Sequence, residues 1–213
     1  MKNIRVFVLG IILSGGYISA AAQRNIAEAT IVYNIKGIAL NGAASTTVYI
    51  KGNNSRTEMV SALGKEITIF NSKSDNAVIL KEFSGQKLMI TLSKENWKAK
   101  NLMYSNIKFE LTNEYKTIGT YKTRKAIAKM LDGKSFEVYY SPDMVPANKG
   151  FDATFTNLPG LAIEYEIESG KMKFKYTLAK IDFDPVQVSL FDFPTSGYRV
   201  MSYEENQNLK KGN

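Results

Sequence analysis

The sequence predicts a mainly β protein built on an antiparallel sheet, and three observations carry that prediction. From Ala27 onward apolar residues recur at every second position far more often than at every third or fourth, which is the period of a half-buried strand. Turn-forming clusters interrupt the runs at short intervals, at Lys51-Gly52-Asn53-Asn54, Asn71 to Asn76, Ser84-Gly85, Asp132-Gly133 and Ser169-Gly170. Connections this short leave no room for the helical crossovers that a parallel sheet requires.

The first element is a leader rather than part of the fold. Lys2 and Arg5 give a positive start, an apolar run extends from Val6 to Ile18, and Ala20-Ala21-Ala22 supplies the small residues of a cleavage site. Gly10, Gly15 and Gly16 interrupt the run, which falls short of the roughly 20 apolar residues of a membrane span. Residues 1–22 are therefore a signal peptide, with cleavage near Ala22 and a periplasmic or secreted mature chain that has no transmembrane segment. Residues 23–213 form a single domain.

In the mature chain the alternation places Ile31, Tyr33 and Ile35 on one face of the first long run, with Thr30, Asn34 and Lys36 opposite. Val48 and Ile50, Ile67 and Ile69, Val78 and Leu80, Met89 and Thr91, and Ile107 and Phe109 continue the pattern, giving about ten strands. Ser93 to Leu102, which contains Trp97, is a helix of one or two turns. At Asp132-Gly133 a hairpin pairs Ile127 with Val138 and sets Lys129 beside Phe136. Ser141-Pro142-Asp143-Met144-Val145-Pro146, with two prolines, reads as an irregular connection. A two-residue loop at Ser169-Gly170 pairs Glu168 with Lys171, Glu166 with Lys173 and Glu164 with Lys175 on the wet face. On the dry face the same register pairs Ile167 with Met172, Tyr165 with Phe174, and Ile163 with Tyr176. Ser202-Tyr203-Glu204-Glu205 spells a capping box and starts a short C-terminal helix.

Composition excludes whole classes of chemistry. Among 213 residues there is neither histidine nor cysteine, so the chain can form no His-assisted triad, no thiolate nucleophile, no zinc site of the usual ligands and no disulfide. The missing cysteine also removes the attachment point of a bacterial lipid anchor. The formal charge is +8, or +6 once Lys2 and Arg5 leave with the leader. The lysines stand singly along strands, several opposite glutamates, and this pattern together with export argues against nucleic acid as a partner.

Three blocks carry a resemblance to a known family. They are Thr117-Ile118-Gly119-Thr120-Tyr121-Lys122-Thr123-Arg124-Lys125-Ala126, then Val138-Tyr139-Tyr140-Ser141-Pro142-Asp143, then Leu158-Pro159-Gly160-Leu161 with the Glu-rich strand after it. The chain resembles the GLPGLI family and closely related exported Bacteroidota domain families of unknown function. Asn157 stands where the name motif has glycine and Ala162 where it has isoleucine. The resemblance implies a fold like that of the periplasmic lipoprotein carriers: a strongly curved antiparallel sheet forming a half-open barrel, with a helix or loops over its concave face. In Leu-Pro-Gly-Leu, Pro159 fixes a turn residue, Gly160 permits a positive φ, and the leucines fill apolar space.

A sheet with one dry face and little helix needs something to meet that face, either its own side chains or an apolar ligand. The leading expectation is a non-enzymatic exported protein that binds or carries a lipid or other hydrophobic small molecule. Its lining would come from Ile163, Tyr165, Ile167, Met172, Phe174 and Tyr176. A dry, filled interior would count against this reading. The alternative is an interaction module for an envelope protein, with a sealed core and free sheet edges. A carboxylate-based hydrolase through Asp182, Asp184 and Asp192 ranks below both. No cofactor is required, no catalytic residue is assigned, and no metal loop of the usual spacing is present.

Overall fold

The computed structural model describes residues 23–37, 42–169 and 172–211. The expected leader, residues 1–22, lies outside the described residues, as do Gly170 and Lys171.

Among the described residues the chain forms fourteen strands and two α-helices, as a strongly curved sheet that does not close into a barrel. Two short strands stand apart as a parallel pair: β1 (Arg24–Ile26) against β11 (Met144–Pro146). The other twelve make one sheet. Its first arm is a meander of β2 (Glu28–Gly37), β3 (Ala44–Lys51), β4 (Asn54–Ser61), β5 (Gly64–Asn71), β6 (Asn76–Phe83) and β7 (Gln86–Leu92). Helix α1 (Lys94–Ser105) then leads to the second arm, β8 (Lys108–Ile118), β9 (Tyr121–Lys129), β10 (Ser135–Ser141), β12 (Leu161–Ser169) and β13 (Met172–Asp182). The arms join through β2 and β13, and the chain ends with β14 (Arg199–Ser202), parallel to β7, and helix α2 (Tyr203–Lys211). The spatial order is β14-β7-β6-β5-β4-β3-β2-β13-β12-β10-β9-β8, so α1 connects an outer strand of one arm to the outer strand of the other.

The alternation expected at the first long run is present: Ile31, Tyr33 and Ile35 are all buried. Directly paired residues share a face, so the inner face can be followed across the sheet. It runs from Phe109 through Ala128, Phe136, Val138, Tyr165, Tyr176, Ile35 and Val48 to Phe70, Ile79 and Ile90. The cover on this face is α1 together with two 3-10 turns, Lys149–Phe151 and Ala153–Phe155. Trp97 of α1 stacks on Phe70 at 4.4 Å, and Phe155 packs edge-on to Tyr165 at 4.7 Å. The outer face is covered on the first arm, where Val186 is held by Glu28 of β2 and Lys51 of β3 and the cover continues over β4 to β7. There the segment 183–198 lays Phe191 and Tyr198 against Ile67, Ile69, Val78 and Leu80. Strand β6 is buried on both faces for that reason, and its Ala77-Val78-Ile79-Leu80 run does not alternate.

Four local readings are corrected. The Glu-rich hairpin is shifted by two residues: Glu168 lies opposite Lys173, Glu166 opposite Lys175, Ile167 opposite Phe174, and Tyr165 opposite Tyr176. A shift of two preserves the face of every side chain, so the wet and dry sides survive it, and the Tyr165 and Tyr176 rings gain a parallel stack at 4.7 Å. The Asp132-Gly133 hairpin is shifted by one, with Val138 opposite Ala126 and Phe136 opposite Ala128. Its turn is closed by Met130 N–H to Lys134 C=O with Gly133 at φ +83°, and the shift puts alanines where aromatic rings need room. The proline connection contains β11: Arg24 N–H donates to Asp143 C=O and Ala147 N–H to Ile26 C=O, and Pro146 sits at the end of the strand, where proline is tolerated. Gly160 has no left-handed φ. A Cβ there would lie 2.1 Å from the Ser141 carbonyl oxygen and 2.9 Å from the Tyr140 ring, so glycine is required by close approach. Leu158 and Leu161 are buried as expected of the flanking plugs.

Helix α1 begins at the expected Ser93 but runs for twelve residues, longer than the one or two turns expected, and α2 starts at its capping box. The Ser93 Oγ accepts from Asn96 N–H, and at α2 Ser202 Oγ accepts from Glu205 N–H while the Glu205 carboxylate accepts from Ser202 N–H, a complete capping box.

Candidate functional site

The site originates in a ladder that stops early. Strands β10 and β12 pair from Ser141 with Leu161 as far as Val138 with Tyr165, across a bulge at Tyr139 and Tyr140. Continued by one step, the register would set Glu137 opposite Glu166. Like charges directly opposed destabilise a sheet, and the strands instead diverge toward their hairpin tips. The gap is a cavity of about 680 Å³.

Its lining comes from both faces, so the cavity is a slot through the sheet. On the inner side lie Phe136, Tyr165 and Ile167, with Met103 and Tyr104 from the last turn of α1 and Met130 from the β9–β10 turn, which also brings Asp132 and Lys134 to the lining. On the outer side lie Lys116, Glu137, Tyr139, Glu164, Glu166, Lys173 and Lys175, with Glu168 at the rim. The inner wall is rigid. Tyr165 is held between the stacked Tyr176, the edge of Phe155 and the edge of Tyr33, whose hydroxyl donates to Ala162 C=O at 2.8 Å. Burial, and then the charge of Asp152, hold the Tyr165 phenol well above its ordinary range, and the same causes raise Tyr176. Asp152 is itself pushed up by burial.

The outer wall is a set of paired charges. Glu164 takes Lys116 at 2.9 Å and Lys175 at 3.1 Å; burial raises its carboxyl, the two lysines outweigh that, and its pKa falls below the ordinary value. Lys173 reaches Glu168 at 3.4 Å and Glu166 at 3.8 Å, and Glu137 pairs with Lys125 at 2.7 Å. Lys116 also sits 3.5 Å from the centroid of the Tyr139 ring, and the Tyr139 hydroxyl bonds Glu114. Met103 on the lining is exposed, and so are Leu102, Leu131 and Met172, each adjacent in sequence to a lining residue.

The six residues expected to line a pocket divide among several roles. Tyr165 and Ile167 line the slot. Tyr176 backs Tyr165 without lining it. Ile163, at 0% exposure, belongs to the sealed core with Leu161, Leu158 and Phe155, so the middle of the half-barrel is filled. Phe174 lies over Gly37, where a Cβ would come within 2.9 Å of its ring, and Met172 is exposed beside the tip. Sequence reasoning misses the outer wall and the α1 contribution. The charged side of the hairpin reads as a solvated face, and Met103-Tyr104 shows no function-specific spacing. An exposed Leu102-Met103-Tyr104 run at the end of a short helix is the available signal.

Of the carboxylates weighed for hydrolysis, Asp182 is occupied locally. Asp182 accepts from Lys180 at 2.7 Å and from Asp184 N–H at 3.0 Å, and Lys180 holds its carboxyl below the ordinary value. The backbone N–H of Asp192 closes the 3-10 turn Val188–Phe191 on Ser189 C=O. No helix among the described residues is long and apolar enough to cross a membrane.

No family model matches the chain, and no curated protein matches it. Solved structures do resemble it. PNGF-II in two crystal forms superimposes with TM-scores of 0.50 and 0.53 at 12% identity, over 85% of this chain and 32% and 33% of PNGF-II. An uncharacterized conserved protein from Thermus thermophilus has a TM-score of 0.51 at 9% identity, over 82% of this chain and 89% of its own. The chain thus spans about a third of PNGF-II, and at these identities what it shares with each of these proteins is the fold.

Proposed function

We propose that this is an exported, non-enzymatic protein of the GLPGLI-like kind that binds a lipid or other hydrophobic molecule at the slot between β10 and β12. The observation that carries the reading is the slot itself, an opening of ligand size with an apolar, rigid inner wall in a half-barrel whose middle is filled. The filled middle counts against a ligand inside the half-barrel and leaves the open end as the place for one. The exposed apolar side chains on the lining and adjacent to it in sequence supply an entry for a molecule that avoids water. The mature chain, residues 23–213, acts in the periplasm or outside the cell.

The test is displacement of a fluorescent fatty-acid probe by palmitate, on the mature protein and on Ile167→Glu. Saturable binding that Ile167→Glu abolishes, with the circular dichroism spectrum unchanged, is the expected result. Absence of saturable binding by the native protein would overturn it.

One observation favours a second reading, an envelope interaction module. Strand β8 is an edge of eleven residues and exposes Leu111 and Tyr115. A bulge between those two residues interrupts its pairing to β9, and Arg124 fills the bulge by donating to Thr112 C=O. Such bulges blunt edges against strand addition, which ranks this reading second.

A further inference from the structure

Resting on the reading of the slot as a hydrophobic-ligand site, we infer that its ligand is a single-chain amphiphile with a zwitterionic head. The tail lies on the inner wall and the head lies on the outer face of the sheet. Two independent features of the slot lead there, its capacity and its charge.

Capacity limits the number of chains. The cavity measures about 680 Å³. At about 30 Å³ per water-sized group it holds on the order of twenty such groups. A sixteen-carbon acyl chain, about eighteen non-hydrogen atoms as palmitate, fits that space, a phospho-head of about a dozen more atoms stands outside it on the outer face, and a second chain would exceed the space. The sealed core behind the slot, with Ile163 and Leu161 at 0% and 1% exposure, offers no overflow.

Charge selects the head. The slot crosses the sheet, so a ligand lying along the apolar inner wall must bring its polar end out among Lys116, Lys173, Lys175, Glu164, Glu166 and Glu168. With Glu137, which pairs with Lys125 at 2.7 Å, they make three cations and four anions on the outer side, and the three lysines are held in Lys–Glu pairs at 2.9 to 3.8 Å. Ion pairs at a surface contribute little net stability, so exchanging one for a ligand contact costs little. A head with only a negative charge can take a lysine but leaves that lysine's glutamate unpaired and close by. A head with both charges, an ammonium and a phosphate, satisfies both halves of the broken pair with charge-assisted hydrogen bonds.

The experiment compares three probes on the mature protein: palmitoyl lysophosphatidylethanolamine, palmitate, and dipalmitoyl phosphatidylethanolamine. Each is measured by displacement of the same fluorescent fatty-acid probe. The expected order is lysophosphatidylethanolamine about tenfold tighter than palmitate, with the two-chain lipid giving no displacement. In the double variant Lys173→Met/Glu168→Gln, the advantage of lysophosphatidylethanolamine over palmitate falls toward one. Equal binding of the two single-chain probes to the native protein overturns the zwitterionic head and leaves the apolar slot standing. Equal displacement by the two-chain lipid overturns the single-chain limit. Failure of all three, with the fluorescent probe itself unbound, overturns the hydrophobic-ligand reading beneath them.

Discussion

Gly160 shows how a single residue can be recognised for the wrong reason. Pro159-Gly160 reads as a turn from sequence, and glycine in a turn is ordinarily there for its positive φ. The constraint is instead the Ser141 carbonyl, 2.1 Å from where a Cβ would stand. That contact joins residues 19 positions apart and is invisible to local pattern. Gly160→Ala should therefore destabilise the protein by about 1 to 3 kcal/mol, the range for overpacking, measured as a lower urea midpoint at unchanged m-value. A wild-type midpoint would show that the loop yields freely. Ile163 is the complementary case. Its alternation with Tyr165 and Ile167 is legible in sequence, but whether it lines a pocket or seals a core is not, because the same core draws on residues as remote in the chain as Ile31, Val48 and Val138. Ile163→Ala should cost about 2 to 5 kcal/mol as a cavity in a packed core, without changing ligand affinity at the slot in the surviving folded fraction.

At the scale of elements, the dependable signals are those whose partners are close in sequence. The capping box of α2 forms as spelled, and Ser202→Ala should weaken α2 by about 1 kcal/mol, the usual cost of losing an N-cap; backbone amide exchange in residues 203–208 is the measurement. Hairpin registers are less legible, since sequence suggests the turn type while the decisive contacts are cross-strand rings and small residues. The outer-face segment 183–198 carries almost no sequence signal, yet it is fixed at three points. Glu28 accepts from Val186 N–H and Lys51, Arg56 donates to Leu190 C=O while bound to Glu58 at 2.5 Å, and the Tyr198 hydroxyl bonds Glu82. Burial and the Glu82 charge push the Tyr198 phenol up to about 12. Lys51, followed by the Val186 N–H, holds the Glu28 carboxyl below its ordinary 4.5. For Glu58, burial acts upward but Lys65 and Arg56 prevail, and its pKa is also lowered. Carboxyls depressed in the folded state stabilise it fully above their unfolded pKa, and that contribution is lost as pH falls through the lower folded value. Below about pH 4.5, the ordinary value of both carboxyls, the segment should loosen ahead of the sheet. The measurement is amide exchange of residues 186–192, corrected for intrinsic rate and compared with β2 and β3; parallel behaviour of both regions down to global unfolding would contradict it.

For the whole molecule, fold class is readable because alternation pervades the chain, but the open curvature is not legible in the period. The slot is not readable. It exists where a ladder ends, and no sequence marks that place except Glu137 and Glu166, whose opposition becomes visible only once the register is known. The same topology governs folding. The central pairing of β2 with β13 sets Ile31 opposite Ile181, so the middle of the sheet cannot form before nearly the entire chain is available. Such non-local contact places folding in the millisecond-to-second range. Stopped-flow fluorescence of Trp97, which reports α1 docking on Phe70, should show a phase in that window; microsecond completion would mean that the arms assemble independently of their junction.

Helix α1 is the single link in sequence between two arms that are otherwise joined by a twelve-strand sheet, by segment 183–198 lying across the first arm, and by β14 on the edge of β7. A chain cut within the helix would therefore retain most of its noncovalent joints. Fragments divided near Asn101 and expressed together should recover each other as one particle, which makes this fold a natural split reporter whose reassembly needs no added dimerising partner.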